Sequence, residues 1–261
     1  MGIAHTLLTP AEAEVRWAGM RFDGPALYHE QAGTMDAAGA VAACLDVAAQ
    51  RGVDVRAGVT VLGIEPTGDE VLVHTDRGTV QARRVVVAAG AWCEGLIGDL
   101  VELPQLGVTE HRVFHFPRVD QTMTWPVTIH REHLDIYHLP GGRDGGPGEA
   151  RKIAEHVGRP ADPRLRNPEI DVDARARMVD YVQEWLPGLV PEPFAETTCL
   201  YTRTPTEDFV LDRVGPVVVV SACSGHGAKL SPVVGRLVAD LVTDTAAEAF
   251  VRFSLANHQV S

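Results

Sequence analysis

Pro216-Val217-Val218-Val219-Val220-Ser221-Ala222 runs on through Cys223 into Ser224-Gly225-His226-Gly227-Ala228-Lys229, and the reading of this stretch decides the fold. The first part is short, β-branched and uninterrupted, as a strand buried on both faces requires. Beyond the glycines, Leu230, Val233, Val234, Leu237, Val238 and Leu241 recur at helical spacing. Strand, glycine turn and helix therefore follow one another, which predicts an α/β arrangement. Glycines at such a turn let a ligand approach the backbone, where the N–H groups and positive dipole end of the helix face it. A delocalised anion suits that place. An ordinary βα connection explains the same residues.

Of the 23 basic residues only two are lysines, Lys152 and Lys229. A composition so tilted toward arginine replaces any lysine whose task is only to carry charge, because the two side chains differ in shape more than in sign. A compact ammonium holds one water, one oxygen molecule or one carboxylate oxygen, a task for which a guanidinium fork is poorly shaped. Chance also leaves two lysines somewhere, so the argument for chemistry rests on what surrounds each.

With 261 residues, 45% of them hydrophobic, the chain has enough apolar material for one large or two modest domains. No apolar run approaches the roughly 20 residues that span a bilayer, and no basic leader precedes an apolar segment, which predicts a cytoplasmic protein. A net charge of −12 argues against nucleic acid and anionic membranes as partners. Cys44, Cys93, Cys199 and Cys223 show no paired spacing for a metal or a disulfide framework.

Other elements are legible along the chain. Thr9-Pro10-Ala11-Glu12 makes a capping box at the start of a helix. Residues 37–50 read as a helix with Val41, Cys44, Leu45 and Ala48 on one face and Gly52 beyond its end. Residues 53–55 read as a short strand, and 59–64, 71–75 and 79–82 as a meander, after which 85–88 return to the main sheet. The alternating stretches 112–116 and 127–137 predict antiparallel strands. Residues 141–148 read as a flexible loop. Asp171 or Asp173 caps a helix that runs to Trp185 and stops at Pro187-Gly188.

Upstream of the glycine turn stands Cys199-Leu200-Tyr201-Thr202-Arg203-Thr204-Pro205, followed by Phe209-Val210-Leu211-Asp212. Taken with Ser224-Gly225-His226-Gly227-x-Lys229, these segments resemble the C-terminal third of the monomeric sarcosine oxidase and N-methyltryptophan oxidase family, flavoenzymes of the D-amino-acid oxidase superfamily. Val85 to Trp92, which ends in Ala88-Ala89-Gly90-Ala91-Trp92, is similar to the family's strand and turn beside the flavin. Ile136-Tyr137-His138-Leu139-Pro140 and Lys152-x-x-x-His156 are similar to its Tyr-x-x-Pro and Lys-x-x-x-His segments, with a longer connection between them (GGRDGGPGEA, 141–150) and no glycines flanking the lysine.

The resemblance implies an α/β (α+β) fold in which a truncated, FAD-binding Rossmann-like lobe (36–103 and 206–261) interleaves with an antiparallel-sheet substrate lobe (1–35 and 104–205). Family members open with a strand, a Gly-x-Gly-x-x-Gly turn and a helix that hold the FAD pyrophosphate. Residues 1–35 contain no such run, since Gly19, Gly24 and Gly33 are too widely spaced and follow no apolar strand. Three outcomes stay open: a shortened oxidase, a second chain that supplies the nucleotide-binding half, or an inactive remnant that binds no flavin alone.

By the same resemblance Cys199 is the candidate for a covalent link to FAD, a half-buried structural thiol being its other reading. His226, flanked by Gly225 and Gly227, packs on the flavin, with Val61, Ala89, Gly90 and Trp92 also lining the cofactor. Lys229 holds the substrate carboxylate, and Lys152 sits with a water on the other ring face, where its charge favours oxygen as it takes up an electron. His156 and Tyr137 line the substrate pocket. Each of these four also has a bland reading: a solvated helix lysine for Lys229, a surface lysine for Lys152, simple packing for the two rings. The implied reaction oxidises a small secondary amine or amino acid such as sarcosine, with hydride passing to the flavin and dioxygen reduced to hydrogen peroxide.

Overall fold

The computed structural model describes residues 2–122, 124–131, 135–143, 150–165, 171–244 and 247–258. In chain order the elements are β1 (Thr6–Leu8), α1 (Pro10–Arg16), β2 (Ala26–Tyr28), α2 (Ala37–Gln50), β3 (Val61–Thr67), β4 (Glu70–Thr75), β5 (Gly78–Ala82), β6 (Val85–Val87) and α3 (Cys93–Ile97). There follow β7 (Gly107–Pro117), β8 (Thr128–His130), β9 (Ile136–Pro140), β10 (Ala150–Glu155), β11 (Arg159–Pro160), α4 (Val172–Trp185), β12 (Ala195–Arg203), β13 (Val210–Val214), β14 (Val217–Ser221), α5 (Ser231–Thr243) and α6 (Leu255–His258). The fold is mixed α/β with antiparallel sheets. It divides into one unit of residues 1–40, 110–159 and 167–199 and another of 41–109, 160–166 and 200–261.

The first unit is built on an antiparallel sheet in the order β11-β7-β10-β9-β8, with β12 also paired to β7. In the register of this sheet Ile153 lies between Phe114 and His138, and Lys152 between His115 and Leu139. Because successive side chains point to opposite faces, Phe114, Phe116, Ile136 and Ile153 share the face that packs the core with Trp17, Met178, Val182 and Leu186. Full burial of each such side chain contributes roughly 1.5–3 kcal/mol. Helix α4 meets this core with Ala174, Met178, Tyr181 and Val182, spaced as one helical stripe.

Both helix starts read from the sequence are built as expected. The Thr9 side chain accepts from the Glu12 N–H while Glu12 reaches back to Thr9, and Asp171 accepts from Ala174 N–H at 3.0 Å. Helix α4 ends where Gly188 meets Gly19: a Cβ on Gly19 would lie 2.9 Å from Gly188 Cα. Trp125 closes over this glycine pair and donates its indole N–H to the Ala18 carbonyl at 3.0 Å.

In the second unit β14 pairs antiparallel with β13 and parallel with β6. All five residues of β14 are buried. Val217 and Val219 enter one core with Val87, Cys93 and Ile97, whereas Val218 and Val220 enter another with Leu211 and Leu241, where Val234, Leu237 and Val238 of α5 cover them. Two covered faces explain the unbroken run of valines. Strands β3, β4 and β5 form the expected meander.

One expectation is corrected. Residues 53–55 form no strand: Val53 donates to Ala48 carbonyl and Gly52, at φ +85, to Ala49 carbonyl, each at 3.0 Å, so Val53 is used in closing the end of α2. Residues 127–137 hold parts of two antiparallel strands, β8 and β9, as their alternation predicts, with 132–134 outside the described residues. Helix α2 spans the expected residues, yet none of them is buried, and Val41 and Leu45 are 60% and 47% exposed. Of the loop read at 141–148, residues 144–148 lie outside the described residues.

Candidate functional site

Tyr137, Lys152 and His156 come together on the sheet of the first unit. Tyr137 is in register with Ala154, and Lys152 and His156 lie two residues either side of Ala154, so alternation puts all three on the face opposite the Ile136–Ile153 core. The rings of Tyr137 and His156 have centroids 4.8 Å apart. His156 N–H donates to the Asp135 carbonyl at 3.0 Å, which closes the β9–β10 ladder, and Asp135 takes φ +44 to allow it. Lys152 is half-buried.

Gly225, His226, Gly227 and Lys229 form one tight turn in the second unit. The N–H groups of His226 and Gly227 both donate to the Cys223 carbonyl, at 2.9 and 3.0 Å, and Ser224 N–H donates to Thr202 carbonyl at 2.9 Å. His226 stacks on Phe209 with centroids 5.0 Å apart and planes 24° apart. Its Nδ1 lies 2.9 Å from the Ser224 carbonyl, which can only accept, so Nδ1 carries the proton and a neutral ring presents Nε2 as an acceptor. Lys229 is exposed on a single 3₁₀ turn, Ala228–Leu230, that leads into α5.

The glycines of this turn are required by the chain itself. A Cβ on Gly225, at φ +73, would lie 2.7 Å from the Tyr201 ring, and one on Gly227 would overlap the Ala222 carbonyl oxygen at 1.7 Å. Gly90 is different: it takes φ +54, yet a Cβ there would meet nothing within 4 Å. Since β6 and β14 are parallel neighbours, with Val87 opposite Val219, the Ala89-Gly90-Ala91-Trp92 segment and the Gly225 turn leave the same end of the sheet. Carboxyl ends of parallel strands are where α/β sheets bind ligands. Trp92 is 48% exposed, and Ala89 and Gly90 are half-buried. Val61 opens β3 in the separate meander sheet, 37% exposed.

Cys199 is half-buried on β12 and, two residues before Tyr201, points to the same side of that strand. Burial raises the thiol of Cys93, the first residue of α3 in the second unit, above its ordinary value, so Cys93 stays a neutral packing group. Within the second unit, the open space beside Gly90 and the exposed Lys229 after the Gly225 turn, both beyond the carboxyl ends of β6 and β14, leave room for a planar anionic group such as a flavin.

Several polar residues inside the first unit carry no sequence signal. His115 is fully buried and in register with Lys152. Arg151, 3% exposed, donates from Nε to His138 Nδ1 at 2.9 Å, from Nη1 to Trp125 carbonyl at 3.4 Å, and also to the Pro126 carbonyl. Burial pulls the Arg151 guanidinium down to about 9, with the Arg118 charge adding to it, and takes His138 well below the ordinary histidine range. Only the register reveals that Arg151 faces the core and Lys152 the other side.

Residues 1–241 match the family described as FAD dependent oxidoreductase, and the chain belongs to that family. It is 31% identical over 256 residues to the peroxisomal sarcosine oxidase of Homo sapiens, an alignment that covers 92% of this chain and 64% of that protein. To the monomeric sarcosine oxidase of Bacillus sp. (strain NS-129) it is 28% identical over 255 residues, covering 92% of this chain and 65% of the relative. The chain thus spans slightly less than two thirds of the length of these curated relatives. Among solved structures, the open form of NikD, an unusual amino acid oxidase essential for nikkomycin biosynthesis, superimposes with a TM-score of 0.83 at 25% identity, covering 97% of this chain and 69% of that one.

Proposed function

We propose that this chain carries the amine-facing and flavin-facing residues of an FAD-dependent oxidase of small secondary amino acids such as sarcosine. The observation that supports this most is the placement of Tyr137, Lys152 and His156 on one sheet face, opposite the core. Bound FAD supplies the hydride acceptor, and dioxygen, reduced to hydrogen peroxide, restores it. Tyr137 and His156 form the aromatic wall against which the amine lies, and Lys229 pairs with its carboxylate. Lys152 contributes a fixed positive charge where oxygen is reduced. His226, flanked by Gly225 and Gly227, together with Val61, Ala89, Gly90 and Trp92, would hold the cofactor, with Cys199 as the residue to which it would be attached through sulfur.

A peroxide assay with sarcosine tests the reading. Lys152→Met is expected to slow the oxygen step about 100-fold or more, as loss of a charge-stabilising group does, while amine binding changes little. Equal loss in both steps contradicts the role given to Lys152.

A second reading is favoured by α2, whose Val41, Leu45 and Val47 are 60%, 47% and 45% exposed, and by Val86 on β6, 41% exposed. In it, flavin binding needs a Gly-x-Gly-x-x-Gly unit, in the same polypeptide or a second one, which covers these residues and holds the pyrophosphate. Flavin retained only when such a unit is supplied supports the second reading over the first.

A further inference from the structure

In the second unit the segment 250–258 grips the residue on which His226 rests. Phe209, 2% exposed, stacks on the His226 ring and also packs against the Phe253 ring, with centroids 5.4 Å apart. The Phe209 carbonyl accepts from His258 Nε2 at 3.0 Å, and His258 is itself buried. Before and after Phe209 in the chain, Asp208 accepts from Arg252 Nε at 2.7 Å and Asp212 Oδ2 accepts the Leu255 N–H at 2.8 Å. Segment 250–258 is therefore fastened to Asp208, Phe209 and Asp212 at once.

These contacts are not equal in strength. The Arg252 side chain is 67% exposed, and an ion pair in water is screened and contributes little. The His258 bond lies in the interior, where water does not compete and a lost partner is costly. The Phe209–Phe253 ring pair adds to that hold beyond its buried area. The consequence falls on His226. Its Nδ1 proton reaches the Ser224 carbonyl at 2.9 Å with the ring held 24° from the plane of Phe209. A ring that turns away from Phe209 loses that bond and exchanges between both neutral tautomers. We infer that Phe209 is a positioning residue for His226, and that segment 250–258, by holding Phe209, fixes the tautomer that presents Nε2 as an acceptor. The consequence for the oxidase rests on the reading of His226 as flavin-facing; the ring geometry belongs to the chain without flavin.

NMR of nitrogen-labelled histidine in the full chain without flavin, at alkaline pH, reads the tautomer directly, with His226→Gln to assign the signal. The unaltered chain is expected to show the Nδ1–H form of His226. Phe209→Leu, which keeps apolar bulk in the core, is expected to lower the ratio of the Nδ1–H to the Nε2–H form about 10-fold, the usual equivalent of one hydrogen bond. His258→Leu is expected to lower it in the same direction, and carries the test if Phe209→Leu does not fold. His258→Gln, whose amide still donates to the Phe209 carbonyl, is expected to restore it. A merely structural loss lowers the melting temperature and leaves the ratio alone. An Nε2–H form in the unaltered chain, a ratio unchanged in the Leu variants, or equal loss in His258→Gln and His258→Leu overturns the proposal. In a preparation that holds FAD, His258→Leu is expected to shift the flavin absorbance maximum and His258→Gln to leave it in place; identical spectra from all three proteins overturn the role at the cofactor. If no preparation holds FAD, the oxidase reading fails, while the tautomer ratio still decides whether Phe209 positions His226.

Discussion

Tyr137 and His156 face each other across the β9–β10 pair with ring centroids 4.8 Å apart, on the side of the sheet that does not carry the core. A pair so placed can be altered with little effect on folding. Tyr137→Ala is expected to raise the KM for sarcosine about 10-fold, equivalent to ~1.4 kcal/mol, while the melting temperature stays within a few degrees. A large fall in melting temperature with unchanged KM would show that the pair serves packing instead.

Gly225 and Gly227 differ in what a methyl group would meet. At Gly225 the obstacle is the edge of the Tyr201 ring, which can turn, added to a backbone at φ +73; at Gly227 it is the Ala222 carbonyl, 1.7 Å away, which cannot. Gly225→Ala is therefore expected to cost about 1–3 kcal/mol, and Gly227→Ala more. Chemical denaturation measures both. The reverse order would mean that the turn is held differently.

The Asp171 cap gives a pH signature. Its hydrogen bond from Ala174 N–H, with the Arg159 and Arg177 charges adding to it, lowers this carboxyl below 3.8. A folded pKa below the unfolded one means that the stabilisation is complete above the unfolded pKa and is lost as pH falls through the folded one. Asp171→Ala is expected to cost about 1 kcal/mol near neutrality, a difference that shrinks below about pH 4. Asp171→Asn keeps the cap and loses that dependence. Urea titrations at pH 7 and pH 3 separate the three proteins.

Arg151 lies buried among the carbonyls of Trp125, Pro126 and His138. Arg151→Met leaves those acceptors without their donor and is expected to destabilise by about 2–4 kcal/mol. Replacing His138 as well, by Leu, removes the Nδ1 acceptor and should recover part of the loss. If the single variant is as stable as the parent, the guanidinium contributes nothing to the core.

Much of this fold is legible in the sequence because its signals are local. The Thr9 and Asp171 caps, the glycine stop at Gly52, the β-branched run 217–221 and the spacing of Leu230 to Leu241 each depend on a few neighbouring residues. The same is true of the segments whose resemblance points to a flavoenzyme. What is not legible depends on pairing between distant segments. Val53 is taken up by closure of α2, which a β-propensity reading at 53–55 does not detect. Arg151 and Lys152 look alike as adjacent basic residues, and only their register with Phe116 and His115 sends one into the core and the other to the opposite face. His130 and Tyr181 are 51 residues apart, and Asp23 is 107 from His130, so their connection has no trace in any short window.

The flavin itself gives the most direct test of the central claim. The chain is expressed with FAD, alone and together with a Gly-x-Gly-x-x-Gly unit, then precipitated with acid and examined for flavin absorbance. A yellow pellet from the unaltered chain in at least one of these preparations, and a colourless one from Cys199→Ser in both, is the expected result. A colourless pellet from the unaltered chain in both preparations, or colour that survives Cys199→Ser, would contradict a flavin bound through Cys199.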